Sequence, residues 1–174
     1  KALHVLPPDK VLRVLFLVDQ WLYYFQGELA VAYGGGIHPK HRHMRYHDFF
    51  VERIEADERV LDIGCGIGAV AYDVAQKASA HVMAIDLNPD NIAKAQQRYP
   101  HARIEYVVGD VLQAIPNRSF DVVILSNVLE HLPERAAFLR KVQQVASPSR
   151  FLIRVPLFER DWRVPLKKEL GVEW

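Results

Sequence analysis

The chain has 174 residues, enough for one compact core and too few for two full domains. Half of it is apolar, a quarter is charged, and 22 basic residues against 21 acidic ones leave a formal charge of +1. That balance supplies no global field for nucleic acid or an anionic membrane surface. Cys65 is the only cysteine, so an internal disulfide is excluded and a reducing, cytoplasmic setting is the expectation.

The most apolar stretch runs from Val11 to Phe25. Arg13, Asp19 and Gln20 interrupt it, and it is shorter than the ~20 residues of a spanning helix. It also lacks a signal-peptide cleavage site. It reads as a buried or partner-facing helix that Asp9 caps and Gly27 stops, with Leu12, Leu15, Phe16, Trp21, Leu22 and Phe25 on overlapping faces. Core packing is expected for Trp21, Tyr23, Tyr24 and Phe25, with an acceptor pocket or a dimer interface as the alternatives. Gly34-Gly35-Gly36 makes a flexible break. Phe49, Phe50, Val51 and Ile54 suggest a short amphipathic helix leading into the core.

From Arg59 onward, short apolar runs alternate with helical stretches. Val60–Ile63 reads as a buried strand ended by glycines, followed by a helix over Val70–Ala78. His81–Ile85 is a second strand. Asn88 and Pro89 supply an N-cap and a first-turn proline for a helix to about Arg98. Ile104–Val108 and Phe120–Leu125 are the third and fourth strands. Pro133 opens a helix bearing Ala136, Leu139, Val142 and Val145, and Phe151–Val155 is the fifth strand. Strands apolar along their length and joined by helices imply a doubly wound, mostly parallel α/β sheet covered on both faces. Such a sheet places a ligand crevice beyond the C-terminal strand ends.

Chemistry concentrates at those ends. In Leu61-Asp62-Ile63-Gly64-Cys65-Gly66-Ile67-Gly68 a strand runs into a glycine turn that opens a helix. Gly64 and Gly66 offer a ligand backbone without a Cβ, and the helix start offers unpaired N–H groups. Alone, this pattern indicates a nucleotide-like cofactor. Asp86 ends the second strand about twenty residues on, where a carboxylate accepts both hydroxyls of a ribose. Asp110 ends the third strand, near an adenine edge. The alternative for each acid is that it caps the next helix.

The series Leu61–Gly68, Ile85-Asp86-Leu87-Asn88, Gly109-Asp110-Val111, Phe120-Asp121-Val122-Val123 and Ser126-Asn127-Val128-Leu129-Glu130-His131-Leu132 resembles the class I S-adenosylmethionine-dependent methyltransferases. The resemblance covers about Val51 to Pro156. It implies S-adenosylmethionine as cofactor and a small-molecule acceptor, with no nucleic acid and no membrane insertion; a homodimer is a further expectation. Residue by residue, it implies that Gly64, Cys65 and Gly66 line the methionine side, with Asp62 orienting the amino-acid end. Asp86, with Leu87, would hold the ribose; Asp110 and Val111 would flank adenine; Asn127, with Val128, would sit under the sulfonium. Cys65 is taken as structural rather than nucleophilic.

The chain departs from the family in lacking, after Pro156, the antiparallel hairpin that usually follows the fifth strand. It also has Ser147-Pro148-Ser149 where glycine is common. A fragment, or a lost C-terminal portion, is the expectation. The expected organisation is a helical cap over residues 1–50, a cofactor-binding α/β domain over 51–156 and the start of a substrate-side segment over 157–174. His38, Lys40, His41, Arg42, His43, Arg45 and His47 form a basic cluster with three readings. It is a solvated helix face, a lid contacting an anionic acceptor or the donor carboxylate, or a metal site using the i, i+4 pair His43 and His47; no metal is expected. By resemblance, Tyr33, Arg42 and Tyr46 are lid contacts.

Methyl transfer is an in-line displacement, so His131 is the general-base candidate by position. The alternative is that it fixes the start of the following helix. Glu130 either pairs with a basic residue of the N-terminal segment or does chemistry. Two other functions remain in view: a nicotinamide-dependent oxidoreductase, and a scaffold domain that keeps the fold without the reaction.

Overall fold

The computed structural model describes residues 7–36, 38–39, 43–115, 119–156 and 163–172. Arg45–Pro156 packs as one compact unit, and Lys1–Met44 with Leu157–Trp174 as another.

The larger unit starts with a short helix α2 (Asp48–Val51) and then alternates strand and helix. In chain order these are β1 (Arg59–Ile63), α3 (Ala69–Lys77), β2 (His81–Asp86), α4 (Pro89–Arg98), β3 (Ile104–Val108), α5 (Val111–Ala114), β4 (Val122–Ser126), α6 (Arg135–Ala146) and β5 (Arg150–Arg154). The five strands form one sheet in the order β3-β2-β1-β4-β5, and every pairing is parallel. The winding therefore reverses between β1 and β4, the position at which doubly wound sheets open a crevice.

The two-residue period of a strand assigns the side chains to faces. Val60, Val82, Ala84, Val122, Ile124 and Leu152 pack with Val70, Ala71 and Val74 of α3, and with Phe50 and Ile54. Leu61, Ile63, Met83, Ile85, Val123 and Leu125 pack on the other face with Val111 of α5 and Val142 and Ala146 of α6. Four successive residues are buried in each of β1, β2 and β4, as a doubly covered parallel sheet requires. Asn88 caps α4 through its Oδ1, which accepts from the Asp90 N–H at 2.9 Å, with Pro89 in the first turn. Ser147 ends α6 at φ 43°, the left-handed conformation for which glycine is the usual choice. The helix expected from Pro133 starts at Arg135, because Leu129–His131 forms a single 3₁₀ turn first.

The smaller unit holds α1 (Pro8–Tyr33) and α7 (Arg163–Glu169). Helix α1 differs from expectation at both ends. It starts one residue before Asp9, with Pro7 at the cap position, so Asp9 lies in the first turn and acts on the helix dipole rather than as the cap. It also runs through Gly27 to Gly34. A mid-helix glycine costs about 1 kcal/mol, too little to end a helix whose apolar spacing continues through Leu29 and Ala32. Phe16 is its one buried residue. Lys167 Nζ lies 5.5 Å above the Phe16 ring and 3.9 Å from the Asp19 carboxylate. The core packing expected of Trp21, Tyr23, Tyr24 and Phe25 is absent: all four are exposed. Consecutive residues at 100° intervals point around most of the helix, so no single packing face buries them all. Among the described residues, no helix is long and apolar enough to cross a membrane.

Candidate functional site

The tips of β1 and β2 meet at the glycine turn. Gly64 and Cys65 N–H groups both donate to the Ile85 carbonyl, at 2.8 and 3.1 Å, which locks the turn against β2. Asp86 then crosses to it: Oδ2 accepts from Gly66 N–H at 2.9 Å. Its Oδ1 accepts from Asn88 N–H at 2.9 Å and from Asn91 Nδ2 at 3.2 Å. Asp86 therefore bridges the turn and the loop after β2, and it does not cap α4, since Asn88 has that role.

The two glycines singled out from sequence serve different purposes. At Gly66 (φ +54°) an added Cβ would meet nothing within 4 Å: the space over that backbone is open. At Gly64 (φ +68°) the same atom would fall 2.7 Å from Val128 Cγ2. Gly64 is glycine for protein packing, and the expectation that it bares backbone to a ligand is corrected to that extent.

Asp62 lies one residue inside the tip of β1. It is 1% exposed and its Oδ2 has no hydrogen-bond partner among the described residues. Burial, reinforced by the Asp86 charge, pushes its carboxyl up to about 7. Cys65 Sγ lies 3.6 Å from the Gly66 carbonyl. Burial first, then the Asp62 and Asp86 charges, raise its thiol well above the ordinary range, so it stays protonated, as expected of a structural cysteine.

Asp110 accepts from Leu112 N–H at 2.9 Å and caps α5, as the alternative reading of that acid held. Val111 is buried in the core beside it, while Leu87 is exposed. Of these two neighbours only Leu87 has an exposed side chain.

At the far side of the reversal, Asn127 takes a left-handed conformation (φ 59°), which its short polar side chain tolerates. Arg154 holds it there. Asn127 N–H donates to the Arg154 carbonyl at 2.8 Å, and Arg154 Nη1 donates to Asn127 Oδ1 at 2.6 Å. The guanidinium carbon lies 4.3 Å from the Tyr46 ring centroid. Burial raises the Tyr46 hydroxyl above its usual range, and Arg154 opposes that shift.

Next to Tyr46, His47 is buried, with its Nδ1 2.7 Å from Asp73 Oδ2 on α3. The solvated-face reading therefore fails at His47. Arg45 at φ 46° breaks the helical path that would align His43 with His47, so the metal reading loses its spacing. His131 is exposed on the 3₁₀ turn. The first residues of α6 have no side-chain cap, so His131 does not fix that helix by capping it. Glu130 makes no ion pair among the described residues, and its Oε2 is buried without a partner. Tyr33 ends α1, exposed, in the other unit. Arg42, Lys40 and His41 lie outside the described residues.

Sequence reading missed Arg154, Asp73 and the second role of Val128. Each acts through a partner distant in the chain, and no local motif marks it.

A parallel sheet that reverses beside a glycine turn, with carboxylates at successive strand tips, defines the class as a nucleotide-cofactor α/β domain. Residues 61–153 match the family described as "Methyltransferase domain", and the chain belongs to the class I S-adenosylmethionine-dependent methyltransferases. It is 28% identical over 125 residues to a 2-methyl-6-phytyl-1,4-hydroquinone methyltransferase of Synechocystis sp., covering 66% of this chain and 39% of that protein. It is 30% identical over 118 residues to a ubiquinone biosynthesis O-methyltransferase of Bradyrhizobium diazoefficiens, covering 67% and 46%. The chain thus spans less than half the length of these relatives. Among solved structures, coclaurine N-methyltransferase bound to N-methylheliamine and S-adenosylhomocysteine aligns with a TM-score of 0.56 at 24% identity, over 63% of this chain and 34% of that one. The [4+2]-cyclase SpnF aligns with a TM-score of 0.52 at 25% identity, over 58% and 40%.

Proposed function

We propose that this chain binds S-adenosylmethionine across the tips of β1, β2 and β3 and transfers its methyl group to a small-molecule acceptor. The observation that carries this reading is the Asp86 bridge to Gly66, set beside the open space over Gly66 and the unpartnered Asp62 Oδ2. An orphaned buried carboxylate oxygen is costly unless a donor completes it, and an α-ammonium group is such a donor. The residues present fit the cofactor in charge as well, since a cationic donor suits a rim of acids.

In this reading Asp62 orients the amino-acid end, with the Gly64–Gly66 backbone and the Cys65 turn beside it. Asp86 and Leu87 hold the ribose, and Asp110 with the backbone of Val111 flanks adenine. Asn127 and Val128 floor the methyl end. Tyr46 belongs to the wall near Asn127. When bound, S-adenosylmethionine supplies an electrophilic methyl with its leaving group already built in. The chain's own work is to align and to exclude water, which accounts for roughly 7–11 kcal/mol in well-oriented reactions. His131 takes the proton of the acceptor. The thiol of Cys65, held protonated, suits a reducing cytoplasm.

Calorimetry on the full chain tests this directly: S-adenosylhomocysteine binds and NAD does not, and the reverse result overturns the reading. The likeness to a [4+2]-cyclase supports a second reading, in which the fold holds the cofactor without methyl transfer. Labelled donor decides between them, since the methyltransferase labels an acceptor and the second reading labels none.

A further inference from the structure

Arg154 carries a charge that the methyl-transfer reading leaves unused. It is half-buried and ends β5, where Ser126 and Arg154 are the last register pair of β4 and β5. Its two partners are an amide oxygen, Asn127 Oδ1 at 2.6 Å, and the face of the Tyr46 ring at 4.3 Å. Both are neutral. Among the described residues no carboxylate lies within ion-pair distance of Arg154; what sets it apart from other unpaired arginines is that an amide and a ring fix its plane at the strand tips.

An amide and a ring face fix the plane of a guanidinium without neutralising it. They leave donors in a rigid fork, a shape that matches a planar, bidentate anion. The donors stay open to solvent, so the arrangement has room for a counter-ion that arrives with a ligand.

Position indicates which ligand. In the order β3-β2-β1-β4-β5, the acids Asp62, Asp86 and Asp110 stand at or just past the tips of β1, β2 and β3. Arg154 stands beyond the reversal, on the far side of Asn127. A donor laid along the acids with its methyl end at Asn127 leaves Arg154 beside the incoming group. Resting on the methyl-transfer reading, we infer that Arg154 is an acceptor-binding residue and that the acceptor carries a carboxylate close to the atom that receives the methyl. The same chemistry has a second source, the donor's own carboxylate, and the experiment separates the two.

The full chain is first titrated with S-adenosylhomocysteine. Absence of binding there sinks the methyl-transfer reading and not the Arg154 assignment alone. On the saturated protein, benzoate serves as the carboxylate probe and benzamide as its neutral match, followed by the arginine side-chain N–H resonances. The expected result is saturable movement of the Arg154 signal and at least tenfold tighter binding of benzoate. Arg154→Gln removes that preference. Arg154→Lys keeps the charge and retains part of the preference, which covers failure of the Gln variant to fold. Equal binding of the two probes by the wild-type chain overturns the inference. So does a tenfold loss of S-adenosylhomocysteine affinity in Arg154→Lys or Arg154→Gln without any loss for methylthioadenosine, which lacks the amino-acid end. That outcome assigns Arg154 to the donor.

Discussion

The two halves of the strand-tip rim are built on opposite plans. On the β1–β2 side, Asp62 is unsatisfied and buried, while Asp86 accepts from two backbone N–H groups and from Asn91 Nδ2 and keeps a lone pair of Oδ2 open. On the β4–β5 side, one guanidinium is held by an amide and an aromatic ring. The first half leaves an acceptor open at Asp62 and the second leaves donors open at Arg154, next to a second unpartnered acceptor at Glu130 Oε2, with Gly64 against Val128 as the joint between the halves. A site divided in this way distinguishes a cationic ligand from an anionic one by where each can lie.

The largest effect on that contrast is expected from Asp86→Ala. Loss of charge-assisted bonds worth about 1.5–3 kcal/mol each lowers S-adenosylhomocysteine affinity at least a hundredfold by calorimetry; unchanged affinity removes Asp86 from the donor half.

The unsatisfied acid gives a pH signature of nearly the same size. The folded-state carboxyl of Asp62 stands at about 7, above its ordinary 3.8, so the folded form keeps a proton that the unfolded chain releases. Stability from this group is complete below about pH 4, falls as pH rises toward 7, and is then flat, a span of roughly 4 kcal/mol. Asp62→Asn removes that slope in denaturant titrations across the window. A wild-type chain with no slope there contradicts the buried, unpartnered carboxyl.

At the joint, Gly64→Ala forces a Cβ against Val128 and an alanine into the left-handed region. It is expected to cost about 3 kcal/mol of stability. Adding Val128→Ala relieves the steric part only, and a full rescue would dismiss the backbone part of the cost.

His131→Ala is the smallest of the four in free energy. Turnover falls about a hundredfold with donor affinity unchanged if the ring takes a proton. A fall in affinity instead would make His131 a binding residue.

Legibility followed the range over which each feature is encoded. Strands β2 and β4 hold uninterrupted apolar runs and β1 one broken only by Asp62, and Asn88-Pro89 announces α4 in two residues, so both are readable locally. The acids at the tips follow those runs and were readable with them. Arg154 and Asn127 are 27 positions apart, and His47 and Asp73 are 26. Only the parallel crossovers bring these pairs together, and no spacing rule reaches that far. Gly27 differs for another reason: the apolar period on both sides of a single unfavourable residue outweighs its cost of about 1 kcal/mol.

The aromatic residues are also unevenly distributed, with an optical consequence. The three tryptophans stand at positions 21, 162 and 174 of the sequence, and Arg45–Pro156 has none. Intrinsic tryptophan emission therefore has no source within the acid-rimmed sheet. Ligands that enter there are followed by heat, by arginine resonances or by a tryptophan introduced beside Leu87.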